Sequence, residues 1–521
     1  MGHFLSDLKM SKVELSISDA VKYLRMALKT EDSALEKSLS DAVLGHGLMD
    51  KELTSSFLPE RAVACWPSVK IKFDQMISLA KGRSDVAAET QGELDLDWRV
   101  KLDNIPRFSC IDLFSGCGGL SLGLEESGFT PLLFSEINKD AASTYLVNRE
   151  HAGYFQYSDI SSLTNDLLSR HLKFWKENGI DDVDLVCGGP PCQGYSGIGH
   201  RRSFKLDKQD IPSNHLFKEM VRVIKAVRPK IFLFENVRGL MVSRWTKNGR
   251  KGEIFEEVLK TLSAIDGYQV RWQLVYAKDY GVPQNRPRLL VVGIRKDIVD
   301  APPARTDCDG NLIMSAVRDG FLPDGMGNPP DLVDTFGDLL DVDYLGKRIT
   351  ERYPNGAKSS FQKETRTMLD GKVARKGDVL AEQEYSQHAE RIREKFQYMI
   401  DHNGEIPIHM QTKKFAQRVL PARWGQGGPN ITATSLPEDY VHYSQPRALT
   451  VREWARLQTF PDRYIFKGPR TTGGRRRAGD PDKGIWDRDV PKYTQIGNAV
   501  PVRLAYQIGQ QFVKILTGNA K

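Results

Sequence analysis

Residues 108–119 have the sequence Phe-Ser-Cys-Ile-Asp-Leu-Phe-Ser-Gly-Cys-Gly-Gly, in which an apolar segment is followed at once by closely spaced glycines. The pattern predicts a buried strand that turns sharply into a helix, because glycine permits a tight bend and lets a ligand approach the backbone. About twenty residues further on, Glu136 stands at the end of a second apolar segment. An acidic side chain there can accept hydrogen bonds from both hydroxyls of a ribose. Together these features predict a site for a cofactor that contains a nucleoside.

The glycine spacing indicates which class of cofactor to expect. It departs from the Gly-x-Gly-x-x-Gly pattern of dinucleotide-binding turns. S-adenosylmethionine needs no cradle for a pyrophosphate, so the departure favours S-adenosylmethionine. Asp159, after the presumed third strand, is expected to receive the adenine amino group. On these residues alone, a glycine turn that only packs a helix against a strand remains an alternative.

Further apolar segments alternate with helical patterns, which predicts an α/β fold built on a parallel sheet covered on both faces. Such sheets bind ligands beyond the carboxyl ends of their strands. The predicted strands are Phe108 to Phe114, Pro131 to Ile137, Val183 to Cys187, Ile231 to Phe234 and Leu289 to Ile294.

The 521 residues predict two or three domains. Residues 1–104 show helical spacing and predict a helical accessory domain, and residues 105–297 carry the strand pattern. Residues 298–445 are rich in proline, glycine and charge and are too long for a structureless loop, so they predict an inserted second domain. Regular pattern returns in residues 446–521, which are predicted to complete the first domain and to close with an amphipathic helix, Val502 to Leu516.

Composition narrows the class of protein. Hydrophobic residues make up 40% and charged residues 27%, as in a globular enzyme, and the formal charge of +7 permits a polyanionic partner without requiring one. We expect a cytoplasmic protein without disulfides or a membrane span, because we find neither a secretory signal nor a sufficiently long apolar run. No metal site is predicted, because no Cys-x-x-Cys pair or His/Cys cluster occurs.

A candidate nucleophile follows the presumed fourth strand, in Val186-Cys187-Gly188-Gly189-Pro190-Pro191-Cys192-Gln193-Gly194. Two rigid prolines hold Cys192 just beyond the sheet edge, and a thiolate is a strong nucleophile near neutral pH. The alternative, a buried and inert cysteine, suits Cys187, which lies within the apolar strand. It suits Cys192 poorly, because Pro-Pro-Cys-Gln-Gly is not typical core sequence.

Two charged motifs lie near later strands. Glu235 ends an apolar strand, where burial would raise its pKa and suit it to hold or donate a proton. Arg286 and Arg288 precede the next apolar segment and could stabilise an oxygen that develops negative charge. The alternative for these two residues is a pair of surface arginines.

These segments, in this order, resemble the motifs of the DNA (cytosine-5) methyltransferase family, over roughly residues 105 to 300 and 445 to 521. The resemblance implies the S-adenosylmethionine-dependent Rossmann-like sheet with a smaller inserted target recognition domain, about residues 298–445, and leaves the N-terminal helical domain outside the shared core. The matching segments are Phe114 to Gly119 (cofactor loop), Glu136-Ile137 (ribose and adenine contacts), Pro190 to Gln193 (catalytic loop), Glu235-Asn236-Val237 (catalytic acid), Gln284 to Arg288 (Gln-x-Arg-x-Arg), Arg447 to Pro461 (the helix that braces the recognition domain) and Gly497 to Val500 (final motif).

The resemblance also implies roles for individual residues. Catalysis is expected from Cys192, Glu235, Arg288 and Arg286, with Arg286 as a second contact to the ring oxygen. Contacts to duplex DNA are expected from Gln193, Tyr195, Arg201, Arg202, Lys413 and Arg423. Contacts to S-adenosylmethionine are expected from Phe114, Gly116, Cys117, Gly118, Gly119, Glu136, Ile137, Asp159, Ile160, Pro191, Leu216, Asn498 and Ala499.

The implied activity is methylation of carbon 5 of a cytosine rotated out of duplex DNA by a monomeric enzyme, through a covalent bond between Cys192 and carbon 6. By analogy with the family, we expect the modification enzyme of a bacterial restriction-modification system, acting at the nucleoid. Two alternatives remain: a methyltransferase that acts on transfer RNA, and a catalytically inactive DNA-binding regulator. The long insert argues against the first, and intact Cys192 and Glu235 argue against the second.

Overall fold

The computed structural model describes residues 107–149, 155–191, 208–299, 321–325, 327–411, 417–425, 428–432, 435, 437–471 and 489–518. The chain divides into two units, Met1–Asn104 and Ile105–Lys521, and every described residue belongs to the second. The predicted helical domain of residues 1–104 therefore lies outside the described residues. The proposed subdivision of residues 105–521 stays a prediction.

A seven-stranded sheet forms the centre of the described part, with the strand order β3-β2-β1-β4-β5-β7-β6. Strands β3, β2, β1, β4 and β5 pair in parallel, whereas β7 is antiparallel to both of its neighbours. The strands are β1 Phe108–Leu113, β2 Phe129–Ser135, β3 Gln156–Tyr157, β4 Leu185–Gly188, β5 Ile231–Asn236, β6 Tyr268–Tyr276 and β7 Pro287–Arg295.

The α/β class is confirmed, but the prediction of a parallel sheet is wrong at one edge. Strand β6 was not predicted, because its sequence alternates polar and apolar residues and only part of it is buried. A short connection, residues 277–286, joins β6 directly to β7 without a crossover helix. Neighbouring strands joined this way run antiparallel, since a parallel pair requires a longer crossover.

Helices flank the sheet and supply the rest of the fold. The closing helix was predicted as Val502 to Leu516, and those bounds are confirmed. The helices are α1 Gly119–Glu126, α2 Lys139–Val147, α3 Asn165–Glu177, α4 Phe217–Val227, α5 Glu253–Ser263, α6 Leu332–Phe336, α7 Ser360–Thr365, α8 Glu390–Asp401, α9 Val451–Leu457, α10 Lys492–Asn498 and α11 Val502–Leu516.

Helix α1 lies unusually close to the end of the chain. A Cβ atom placed on Gly119 would lie 2.5 Å from the carbonyl oxygen of Val500, and one on Gly123 would overlap the carbonyl oxygen of Val502. These glycines let α1 contact the backbone that leads into α11. The turn that begins α1 is thereby held against residues 499–502.

Between residues 321 and 445, the part that the structure describes contains little regular structure besides α6, α7, α8 and the short pair β8 Arg418–Val419 and β9 Tyr440–Val441. Buried charges join this stretch to helix α9. Arg456 lies 2.6 Å from both Asp338 and Asp462, and Arg366 lies 2.6 Å from Asp338. Removing one partner of such a network would leave a buried charge uncompensated. The network therefore fixes how this stretch packs on α9.

No helix among the described residues is long and apolar enough to cross a membrane. Within the same residues, no cluster of His, Cys, Asp and Glu could hold a metal ion.

Candidate active site

The turn after β1 has the backbone conformation that its glycines predict. Phe114, Gly116 and Gly118 have φ angles of 57°, 57° and 84°, in the left-handed region that glycine adopts without steric cost. A Cβ atom placed on Gly116 would meet no atom within 4 Å, so open space adjoins the turn at this residue. A ligand can therefore approach the backbone here, as the sequence predicts.

Glu136 lies directly beside this turn. Its Oε2 accepts a hydrogen bond from the backbone N–H of Gly116 at 2.8 Å, and its Oε1 accepts one from the N–H of Asn138, also at 2.8 Å. Desolvation raises the pKa of the Glu136 carboxyl, and the two backbone donors oppose that rise. The carboxylate is thus held in place, with further lone pairs on each oxygen for a ligand's hydroxyls.

The cysteines near the turn are buried. The thiol of Cys117 is buried and donates to the carbonyl oxygen of Gln495 at 3.4 Å, and burial raises its pKa to about 12. Cys187 is also buried, and burial raises the pKa of its thiol well above the usual value. The interpretation of Cys187 as a buried core residue is confirmed, and its raised pKa disfavours the thiolate, which is the nucleophilic form.

Glu235 meets the loop after β4 at the carboxyl edge of the sheet. A Cβ atom placed on Gly189 would lie 2.6 Å from its Oε2, so the glycine backbone lies directly against the carboxyl group. Asn236 donates from its side-chain amide to the carbonyl oxygen of Pro190 at 3.1 Å. These contacts hold the loop through Pro191 beside the acid. Cys192, the next residue in the chain, lies outside the described residues.

Arg288 is the charge partner of Glu235. Its Nε lies 2.5 Å from Oε1 of Glu235, and only 4% of the Arg288 side chain and 11% of the Glu235 side chain are exposed. Burial raises the pKa of Glu235, and the positive charge of Arg288 lowers it in part. An acid in this environment can hold a proton closer to neutral pH than an exposed glutamate can.

Arg286 has different partners, although it is only two residues from Arg288. Its guanidinium donates to the carbonyl oxygen of Ile431 and, at 2.6 Å, to that of Gly497. The two arginines are buried, so the alternative of two surface arginines is wrong. Of the two, Arg288 is the one that pairs with Glu235, whereas Arg286 bonds to backbone carbonyls of distant segments.

One protein family matches nearly the whole described fold. The sequence model of the family described as "C-5 cytosine-specific DNA methylase" matches residues 108–514. The chain belongs to this family.

Individual relatives agree with this assignment. The methylase is 31% identical over 414 residues to the Type II methyltransferase M1.HphI of Haemophilus parahaemolyticus, covering 78% of this chain and 87% of that protein. It is 29% identical over 425 residues to M.DdeI of Desulfomicrobium norvegicum, covering 77% and 87% of the two chains. A putative DNA modification methyltransferase encoded within an Escherichia coli prophage has a similar fold, with a TM-score of 0.54 at 22% identity over 79% of this chain and 99% of that one.

Other predicted cofactor contacts of the methylase lie around the same edge. The side chain of Ile137, next to Glu136, is 73% exposed and offers an apolar surface. Asp159 is exposed and accepts a hydrogen bond from the N–H of Ser161 at 2.9 Å, whereas the side chain of Ile160 is buried. The remaining positions are Pro191 and Leu216, both half-buried, Asn498, exposed at the end of α10, and Ala499, half-buried after it.

The predicted DNA contacts are mostly beyond the described part of the methylase. Arg423 is described and exposed. Five predicted residues lie outside the described residues, namely Gln193, Tyr195, Arg201, Arg202 and Lys413.

Three residues that shape the site have no separate role predicted from the sequence. Gly189 gives the loop room to lie against Glu235, Asn236 holds that loop through Pro190, and Gln284 joins several distant segments. Gly189 and Asn236 stand inside the predicted motifs, so their neighbourhood was indicated. Gln284 also stands inside a predicted motif, but its partners lie far away in the sequence and leave no local signal: backbone groups of Leu457 and Ile431 and the side chain of Gln458.

The residues at the glycine turn fit the cofactor that the family implies. A fixed carboxylate at Glu136, an apolar surface at Ile137 and open space at Gly116 suit a ribose and an adenine ring. The family and the fold together imply use of S-adenosylmethionine.

Proposed function

We propose that this methylase transfers a methyl group from S-adenosylmethionine to carbon 5 of a cytosine within a specific duplex DNA sequence, through a covalent bond between Cys192 and carbon 6. The contact of the Gly189–Pro191 loop with the buried Glu235–Arg288 pair carries the proposal. This contact supports Cys192 as the nucleophile, because Cys192 directly follows Pro191 in a loop that is anchored beside the proton donor Glu235.

The cofactor supplies an electrophilic methyl group when it is bound. Glu136 would hold its ribose hydroxyls, Ile137 would pack on its adenine, and Asn498 and Ala499 would border it from the other side of the turn. The contacts that tie Gly119 to Val500 support this arrangement, because they keep the glycine turn and the residues after α10 together. Asp159, Ile160, Pro191 and Leu216 complete the proposed lining.

Attack by the Cys192 thiolate on carbon 6 would form a carbon–sulfur bond and move the electron pair of the ring double bond toward carbon 5. Glu235 would donate to ring nitrogen 3 and Arg288 to ring oxygen 2, so that both stabilise the developing negative charge. Carbon 5 then takes the methyl group. A base removes the proton from carbon 5, the double bond re-forms, and the thiolate leaves.

This chemistry requires the cytosine to leave the base stack, which costs a few kcal/mol. Tyr195, Arg201 and Arg202, in the loop after Cys192, would contact the DNA backbone and the displaced base together with Gln193. Lys413 and Arg423 would contact DNA from the insert. The relatives named Type II methyltransferases support a role as the modification enzyme of a restriction-modification system. We further propose that the enzyme acts as a monomer at the bacterial nucleoid.

Trapping the covalent intermediate tests the proposal. With S-adenosylmethionine and duplex DNA that contains 5-fluorocytosine, we expect a denaturation-resistant protein–DNA adduct, because fluorine at carbon 5 cannot leave as a proton does. Cys192→Ala should abolish the adduct. The matched control is Cys187→Ala, five residues earlier, which removes an inert thiol and should leave adduct formation intact.

Two results would overturn the proposal. An adduct formed by the Cys192→Ala protein would show that another residue is the nucleophile. Methylation of transfer RNA and not of duplex DNA by the unaltered protein would show that the substrate is RNA.

A further inference from the structure

The backbone of the segment Pro429–Ile431 is fixed by hydrogen bonds to residues 284–286 and to Tyr440. The backbone N–H of Asn285 donates to the carbonyl oxygen of Pro429 at 2.7 Å. The side-chain oxygen of Gln284 accepts from the N–H of Ile431 at 3.3 Å, and Arg286 donates to the carbonyl oxygen of Ile431. Gln284, Asn285 and Arg286, the three residues before β7, therefore all bond to this segment.

Tyr440 fixes the residue in the middle. Its hydroxyl accepts a hydrogen bond from the backbone N–H of Asn430 at 2.9 Å and donates to the carbonyl oxygen of the same residue at 3.3 Å. Tyr440 is itself buried, with the guanidinium carbon of Arg418 5.6 Å from the centre of its ring. Asn430 thus has both of its backbone polar groups bonded to a side chain that is packed in the core.

Further hydrogen bonds join this segment to residues 496–499, which lie beside the glycine turn. Arg286 also donates to the carbonyl oxygen of Gly497, and Gln284 donates to the side chain of Gln458 at 2.6 Å. Gln458 in turn donates to the carbonyl oxygens of Ile496 and Ala499 at 2.7 and 3.0 Å. Gln284 and Gln458 are fully buried and Arg286 is 3% exposed, so these bonds are shielded from competing water.

The Asn430 side chain contrasts with its backbone. The residue is exposed, and its side-chain amide has no hydrogen-bond partner within the described part of the chain. A side-chain amide carries an acceptor oxygen beside a donor nitrogen, the pattern that pairs with the N6 and N7 edge of adenine. A rigid backbone with an unpaired amide is suited to reading a base, because little ordering is needed on binding.

We propose that Asn430 is a specificity-determining residue that reads an adenine in the recognised DNA sequence, and that Arg286 is the positioning residue that holds it in register with the catalytic centre. The inference rests on the proposed function. Arg286 thereby takes a role in sequence discrimination rather than contact with the cytosine ring.

Deep sequencing of methylated cytosines in a random-sequence duplex library tests this inference. The unaltered protein should show one position in its recognised sequence at which adenine is required. Asn430→Ala should lose the adenine preference at that position by about tenfold to a hundredfold and keep the other preferences. Asn430→Gln displaces the same amide by one methylene and should weaken the preference at the same position.

Arg286→Lys should relax discrimination at that adenine more than elsewhere, because lysine cannot reach both carbonyl groups at once. This readout separates positioning from general stabilisation, which would lower the rates on all sequences equally. Asn178→Ala is the matched control, since the amide of Asn178 bonds within its own helix end at Phe174. It should leave the whole sequence profile unchanged.

The outcomes distinguish this inference from the proposed function. If the unaltered protein methylates no DNA, the proposed function fails and the inference falls with it. If it methylates a defined sequence and Asn430→Ala methylates the same sites with the same relative rates, only the role of Asn430 is overturned. Folding does not obscure the result, because replacing an exposed side chain that bonds to no other described residue changes the free energy of unfolding by about 0.5 kcal/mol or less.

Discussion

Nε of Arg288 lies 2.5 Å from Oε1 of Glu235, across the pairing of β7 with β5. The pair is almost fully buried, so the carboxyl group loses hydration that a single arginine replaces in part. Burial raises the pKa of Glu235 while Arg288 opposes the rise. The antiparallel placement of β7 decides this contact, because it sets Glu235 opposite Leu290, two residues from Arg288.

Replacing the acid should separate catalysis from cofactor binding. We expect Glu235→Gln to lower the single-turnover rate by about a hundredfold or more, because glutamine cannot transfer a proton. The affinity for S-adenosylmethionine, measured by calorimetry, should change little, since the proposed ribose ligand is Glu136, which follows a different strand, β2. Equal losses in rate and in affinity would indicate a structural role for Glu235 instead.

A methyl group added at Gly189 should displace the acid. Its Cβ atom would lie 2.6 Å from Oε2 of Glu235, a distance that forces the carboxyl group or the loop to shift. We expect Gly189→Ala to lower the methylation rate by about tenfold or more, since small misplacements of catalytic groups are costly. Gly356→Ala is the control, because a Cβ atom there meets nothing within 4 Å. Similar rates for both variants would contradict the contact.

Gly123 tests how closely α1 packs. In a helix interior, alanine ordinarily stabilises relative to glycine by about 1 kcal/mol. Here the added Cβ atom would overlap the Val502 carbonyl oxygen, so we expect Gly123→Ala to lower the free energy of unfolding by about 2 kcal/mol, measured by urea denaturation. Gly346→Ala, with open space around its Cβ position, should cost little. A stabilised Gly123→Ala protein would disprove the close approach.

Asp112 on β1 should make stability depend on pH. Its carboxylate accepts a hydrogen bond from Ser121, and burial raises its pKa from 3.8 to about 7. The pKa of Asp112 is higher in the folded protein than in the unfolded chain. The carboxyl group therefore adds to the free energy of unfolding, and this stabilisation is fully present below the unfolded pKa. That contribution is lost as the pH rises toward the folded value.

Asp112→Asn removes this titration and keeps an oxygen that can accept from Ser121. Between pH 5 and pH 8, we expect the unaltered protein to lose roughly 2 kcal/mol of unfolding free energy relative to the variant. Urea denaturation at several pH values measures the difference. Parallel pH profiles for the two proteins would show that Asp112 does not titrate in this range.

Buried strands and the contacts at their ends were easier to predict from the sequence than the partly exposed edge of the sheet. Strands β1, β4 and β5 were predicted to within two residues at each end, because all of their residues are buried and most of them are apolar. Strand β6 was not predicted, because the predicted strands were apolar segments and β6 alternates polar and apolar residues. The antiparallel edge of the sheet was therefore not predicted either. The meeting of Glu235 with the loop after β4 was predictable, since adjacent parallel strands end at the same edge.

Local patterns and strand ends were enough to predict the α/β class, the glycine turn beside Glu136, and the closeness of Glu235 to the loop after β4. Only the tertiary structure decided that Arg288 pairs with Glu235 while Arg286 holds Ile431 and Gly497. It also decided that Asn430 has a fixed backbone and an unpaired amide among the described residues. The Arg288–Glu235 pair depends on the strand order, which sets β7 beside β5. The contacts of Arg286 and Asn430 involve backbone groups, which every residue carries regardless of its side chain, so a local sequence pattern does not reveal them.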